Sequence, residues 1–124
     1  MIRNSESRIA KENTVAKDDF FVIAYRILAY LYACMKSGEI PDEDMISYER
    51  LKIPQRYWNS IVSNLWKEGY IEGIISFTQI GCEARFLSTG MSITISGIEY
   101  LQSDSTMQKA QTFLKSFKEI IPDL

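Results

Sequence analysis

The chain has 124 residues, 46% of them hydrophobic, which provides a packed core for one domain and excludes disorder of the whole chain. The formal net charge is −2. A dedicated non-specific nucleic-acid binder is usually clearly basic, so any contact with nucleic acid must come from local charge.

The first residues are polar and of mixed charge, and no signal-peptide pattern is visible. Residues 1–17 show no periodicity and are expected to form a flexible N-terminal arm before a domain over 18–122. A cytoplasmic protein is therefore expected.

The first periodic segment predicts a helix. Asp18 or Asp19 is placed to cap it, and it runs to about Lys36 and ends before Gly38. The helix is apolar nearly all round, so another helix of the chain or a partner chain must cover its second face. Its apolar run has 16 residues and contains Arg26, whereas a membrane span needs roughly 20 apolar residues. A buried helix and no membrane contact are predicted.

An acidic stretch follows at residues 39–49, which contain five acids and no base. A short helix is expected around Asp42 to Ser47, begun by Pro41. The acids lack the 12-residue loop pattern of a calcium site, so a solvated helix face is the preferred interpretation. They are Glu39, Asp42, Glu43, Asp44 and Glu49.

A second long helix is predicted to start at Pro54, because proline fits the first helical turn. It runs to about Lys67 or Glu68 and is ended by Gly69. Four residues at helical spacing are expected to face inward: Trp58, Ile61, Val62 and Leu65.

A β-hairpin is predicted next. Tyr70 to Phe77 is rich in β-formers, and Met91 to Ile95 alternates like a returning strand. The connection from Thr78 to Gly90 is long for a hairpin, so Arg85 to Leu87 is a candidate extension of a strand.

Two capping boxes, Ser96–Glu99 and Ser105–Gln108, predict two C-terminal helices. The first runs through Gln102, and the second carries an apolar stripe to Ile121 and is ended by Pro122. The predicted order of helices and strands is typical of an α+β fold of the winged helix-turn-helix type, with a long wing and an additional C-terminal helix.

Three sequence blocks resemble the YjcQ-like proteins, which are small proteins of Gram-positive bacteria and their phages. The blocks are Leu65–Gly73, Ile93–Leu101, and Met107–Ala110 with Phe113–Lys115. The resemblance covers roughly Asp18 to Pro122 and implies a winged-helix domain closed by a C-terminal helix, and a bacterial or phage origin. The family has no established activity, so the resemblance implies no functional residues.

The sequence argues against chemistry of its own. It contains no histidine, which excludes histidine-based acid–base pairs and metal sites, and no phosphate-binding glycine loop. Cys34 is expected to be buried in the first helix, and Cys82 to lie in a loop, without a disulfide. No enzyme activity, cofactor or metal is expected.

Local charge points to the helix after Pro54. Residues 50–67 contain four bases and no acid. Arg56, Asn59 and Gln55 have the geometry that reads purine edges in the major groove of duplex DNA, and nearby hydroxyls and Lys67 suit phosphates. The candidate DNA-binding residues are Arg50, Lys52, Gln55, Arg56, Asn59, Ser60, Ser63 and Lys67, with Arg85 as a wing contact.

Two other interpretations stay open. This helix face is equally typical of an ordinary solvated surface. The acidic stretch and three aromatic candidates for exposure, Tyr48, Tyr57 and Trp66, favour a module that docks a protein partner, although Trp66 also fits the core. A homodimer, built on the first and last helices, is a further expectation.

Overall fold

The computed structural model describes the backbone of residues 16–77 and 85–116, and within these ranges the side chains of all but 76, 77 and 85–87. The described residues form an α+β fold of five α-helices and one two-stranded antiparallel sheet. In chain order the elements are α1 (Phe20–Ser37), a 3₁₀ turn (Glu43–Ile46), α2 (Tyr48–Leu51), α3 (Gln55–Lys67), β1 (Ile71–Phe77), β2 (Arg85–Ile93), α4 (Ile95–Ser103) and α5 (Ser105–Lys115). The predicted arm up to residue 15, the loop with Cys82, and the predicted helix end at Ile121 and Pro122 lie outside the described residues.

Helix α1 is the central element of the fold. Asp19 caps it by accepting a hydrogen bond from the backbone N–H of Phe21 at 3.0 Å, and Gly38 ends it in the left-handed conformation at φ 77°. Cys34 is buried, as expected, together with Val22, Ile23, Ala24, Ile27, Leu28 and Leu31.

Other parts of the same chain cover both faces of α1, because it contacts α3, α4, α5 and β2. On one side Val22 packs with Ala110 and Leu114 of α5. The feature that suggested a homodimer is thus accounted for within one chain. By length and composition α1 is also apolar enough to cross a membrane; we interpret it as a core helix because its buried residues carry these packing contacts.

The short helical segment differs from the prediction. A single helix was expected at 42–47, whereas the 3₁₀ turn ends at Ile46 and α2 follows it. The Oγ atom of Ser47 caps α2 by accepting from the N–H of Arg50 at 3.1 Å. Lys52 ends α2 in the left-handed conformation at φ 60°. Four residues are too few to show a helical period, and lysine is not the glycine that usually marks such an end.

The hairpin contains an irregularity beside two glycines. Strands β1 and β2 pair from Ile71↔Ile93 to Phe77↔Arg85, so the extension at Arg85 does belong to the second strand. The register shifts around Gly73, which has φ 86° and faces Gly90. A Cβ atom at Gly73 would overlap the backbone of Gly90, so only glycine allows this close approach.

Both C-terminal helices begin earlier than predicted. The cap of α4 is Thr94, not Ser96, and Ile95 belongs to this helix and not to the strand. The cap of α5 is Asp104, not Ser105, with its carboxylate accepting from the N–H of Thr106 at 2.9 Å. Capping boxes identify a nearby helix start, but several polar residues in succession leave the capping residue itself open.

Thr94 also connects α4 to the end of α3. Its Oγ1 atom accepts from the N–H of Gly97 at 3.0 Å and donates to the carbonyl of Gly69 at 2.5 Å. Its N–H donates to the carbonyl of Tyr70 at 3.0 Å. The ring of Tyr70 stacks on that of Tyr100, with centroids 4.2 Å apart. We call this set of residues the junction: Gly69, Tyr70, Thr94, Gly97 and Tyr100.

Gly73→Ala is expected to destabilise the protein much more than Gly38→Ala. Both positions have positive φ, which costs a side chain about 1 kcal/mol, but space is open around Gly38 whereas Gly73 meets backbone. We expect about 1 kcal/mol for Gly38→Ala and about 3 kcal/mol for Gly73→Ala in urea unfolding. Equal losses would contradict the close approach of the two strands.

Thr94→Val is expected to lower the free energy of unfolding by about 1–2 kcal/mol, because valine keeps the shape but removes the cap and the bond to Gly69. The control Thr89→Val changes the same atoms at an exposed strand position, where a loss below about 0.5 kcal/mol is expected. Thermal or urea unfolding measures both. Similar losses in the two variants would refute the role of Thr94.

Stability is expected to fall above about pH 10. Burial raises the pKa of Tyr70 and Tyr100 above the ordinary 10.0, and the carboxylates of Glu68 and Asp104 raise it further. As the pH rises, these two tyrosines therefore lose their protons earlier in the unfolded chain than in the folded protein. Their contribution to the free energy of unfolding is complete below the pKa that they have in the unfolded chain, and it is lost as the pH rises through the pKa that they have in the folded protein. Melting temperatures at pH 8 and about 10.5 should differ less in the Tyr70→Phe/Tyr100→Phe variant than in the parent; an unchanged difference would contradict the assignment.

Candidate nucleic-acid interface

Contacts on two sides hold helix α3 in a defined rotation. Its buried residues are Ile61, Val62 and Leu65. On one side, the Nε1–H of Trp58 donates to the carbonyl of Ile46 at 2.8 Å. On the other side, the hydroxyl of Tyr57 donates to the carbonyl of Asp18 at 2.7 Å, and its ring packs edge-on against Phe20. The face of α3 that lies opposite these buried residues therefore points away from the core. Pro54, predicted to lie in the first helical turn, occupies the capping position instead, and the helix begins one residue later at Gln55.

The outward line of α3 carries two cations and two hydroxyls. Arg56, Ser60, Ser63 and Lys67 follow one another at spacings of four, three and four residues, which places them on one face of a helix. Arg56, Ser60 and Lys67 are exposed, and Ser63 is half-buried. From Arg56 to Lys67 this line extends about 16 Å along the helix axis. We call it the outer face of α3.

Two amide side chains lie along one side of this face. Gln55 is exposed in the first turn of α3, and Asn59 is half-buried one turn later. At a spacing of four residues they are neighbours on the helix surface. A third amide, Asn64, donates through Nδ2 to the carbonyl of Ser60 at 2.8 Å.

The remaining candidate residues have three different locations. Lys52 is exposed in the turn that leads into α3. Arg50 lines a cavity between α1 and α2, to which no described residue of α3 contributes. Arg85 begins β2 at the end of the hairpin that is distant from α3, and its side chain lies outside the described part of the structure. The structure thus groups Lys52 with the α3 residues and separates Arg50 from them.

The acidic stretch makes a contact with the hairpin that its sequence does not predict. The carboxylate of Glu43 accepts from the hydroxyl of Ser88 at 2.6 Å and from the backbone N–H of Met91 at 3.2 Å. Asp42 caps the 3₁₀ turn. Glu43 and Asp42 therefore have structural contacts rather than forming only a solvated face, and the described residues contain no group of acids that could hold a metal ion. The sequence offered no signal that a residue 45 positions away would pair with Glu43.

The aromatic residues suggested for protein docking are half-buried rather than exposed. Tyr48 packs edge-on against Trp58, with ring centroids 6.4 Å apart, and both Tyr57 and Trp66 pack against the main core. For Trp66 this agrees with the core alternative. The most exposed large apolar side chains of the described residues are Ile40 and Ile95, at 91% and 77% exposure.

The family described as YjcQ protein matches residues 25–120, which include α2 to α5 and most of α1. The chain belongs to the YjcQ family. The match confirms the resemblance found in the sequence. No curated protein and no solved structure matches this YjcQ protein significantly.

Proposed function

We propose that this YjcQ protein is a non-enzymatic winged-helix protein of the cytoplasm that binds duplex DNA through α3. The outer face of α3 is the observation that carries the proposal. In the order of elements, α2, a tight turn and α3 correspond to a helix-turn-helix, and β1 and β2 to the wing. Fold alone does not decide function, so the argument rests on the side chains that α3 presents.

The chemistry of this face suits a DNA groove. Gln55 and Asn59 are neighbouring amides, and an amide can pair with both the N6 and N7 atoms of adenine. Arg56 and Lys67 are about 16 Å apart along the helix axis. At the two ends of the face, these cations are placed to contact backbone phosphates while the amides along its side meet base edges.

Charge near the helix also supports binding. The segment from Lys52 to Lys67 contains three cations and no acid, although the chain as a whole carries a charge of −2. Beyond the Debye length of about 8 Å at physiological salt, exposed charges are largely screened. A phosphate at this surface therefore responds mainly to the local cations. With only three of them, modest affinity and a clear dependence on salt are expected.

The charge-reversing variant Arg56→Glu/Lys67→Glu is expected to abolish binding to a mixed DNA duplex. For the parent protein, two or three phosphate contacts predict that affinity falls about 10- to 40-fold between 50 and 200 mM salt. Fluorescence anisotropy of a labelled duplex measures both effects. The matched control is Lys109→Glu/Lys115→Glu, which makes the same change in net charge at exposed positions of α5.

The control variant should bind DNA as the parent does, to within about threefold, because long-range charge alone has little influence. Equal losses in the two double variants would show that net charge, and not the outer face of α3, determines binding. A parent protein that binds no duplex at about 50 mM salt contradicts the proposal and leaves docking of a protein partner as the alternative.

A further inference from the structure

A cavity of about 190 Å³ lies between α1 and the segment that contains the 3₁₀ turn and α2. Its apolar wall includes Ala29, Met45 and Leu51. Arg26 of α1 and Arg50 of α2 both line the same space. Arg50 and Ala33, another lining residue, are exposed, so the cavity has an opening to solvent. An apolar wall with two guanidinium groups is the combination that fits an amphipathic anion.

We propose that this cavity is a binding site for a small organic carboxylate with a short branched aliphatic chain. The carboxylate pairs with Arg50, since guanidinium groups match carboxylate geometry and form charge-assisted hydrogen bonds, and Arg26 adds a second positive charge to the lining. The aliphatic chain packs against Met45 and Leu51. Among the described residues, the lining contains no carboxylate that would repel this ligand.

The size of the cavity limits the ligand. An apolar cavity of about 150 Å³ holds benzene, so a space of 190 Å³ admits a molecule of roughly eight heavy atoms. Drug-sized ligands and nucleotides need larger pockets, of about 300 Å³ or more. An inorganic anion would pair with Arg50 but leave the apolar wall in contact with water.

The wall of the cavity is well supported. Ile46 and Leu51 belong to the main core, with exposures of 2% and 5%. The carbonyl of Ile46 accepts the hydrogen bond from the indole of Trp58 in α3. A ligand seated against this wall therefore changes the environment of a Trp58 atom that lies on α3. The NMR signal of the Trp58 indole N–H therefore reports ligand binding in this cavity, and the measurement requires no DNA.

The test is an NMR titration of the full chain with 4-methylpentanoate. We expect saturable shifts of the Ala33 amide and of the Trp58 indole signal, with a dissociation constant of about 1 mM. The uncharged 4-methylpentanamide and inorganic phosphate should each bind at least tenfold more weakly, because each lacks one half of the chemistry. Equal binding of the amide, equal binding of phosphate, or no saturable shift up to about 20 mM would each overturn the proposal.

Variants localise the site. Arg50→Gln should weaken 4-methylpentanoate binding at least tenfold, and since Arg50 is exposed this change leaves the core intact. Ala33→Leu should block the opening and abolish binding. The control Lys36→Gln removes a cation of α1 that lies over the ring of Tyr32, outside the cavity, and should leave the affinity unchanged. Unchanged affinity in both Arg50→Gln and Ala33→Leu would refute this location.

Discussion

The hydrogen bonds of Thr94 determine how three elements meet. One side-chain oxygen caps α4 and also bonds the carbonyl of Gly69, the residue that ends α3. The adjacent N–H bonds the carbonyl of Tyr70, where β1 is about to begin. Gly97 is in close contact with the same carbonyl, so a side chain there would overlap it. The direction in which α3 leaves the core therefore depends on the junction, and with it the orientation of the outer face.

A second set of contacts holds the other end of the same unit. Glu43 bonds the irregular part of β2, and Trp58 bonds the carbonyl of Ile46 in the 3₁₀ turn that also contains Glu43. The hairpin and α3 are thus both attached to this turn, while the junction attaches them to each other. A surface built from α3 and the hairpin is pre-organised by these contacts, which reduces the ordering cost of binding a rigid partner such as duplex DNA.

The sequence predicted the long elements and not the contacts between them. Strong periodicity and end signals such as Asp19, Gly38 and Gly69 located α1 and α3 to within two residues at each end. Local patterns did not reveal α2, because it is four residues long and ends at Lys52. The residues of the outer face follow from the sequence, since polar residues at helical spacing suffice to predict an exposed face. The cavity beside Arg50 and the bonds of Glu43 depend on residues distant in sequence, which no local pattern encodes.

The acidic balance of the chain is a weaker argument against DNA than composition alone suggests. Three of its aspartates, Asp19, Asp42 and Asp104, cap helical segments and accept backbone N–H bonds. There their charge is partly offset by the positive end of the helical dipole. Glu43 is likewise bonded to the hairpin. These four acids therefore have structural contacts and none belongs to α3, which contains two cations and no acid. Net charge describes the whole surface, whereas a DNA phosphate responds chiefly to the charges within a Debye length of its contact.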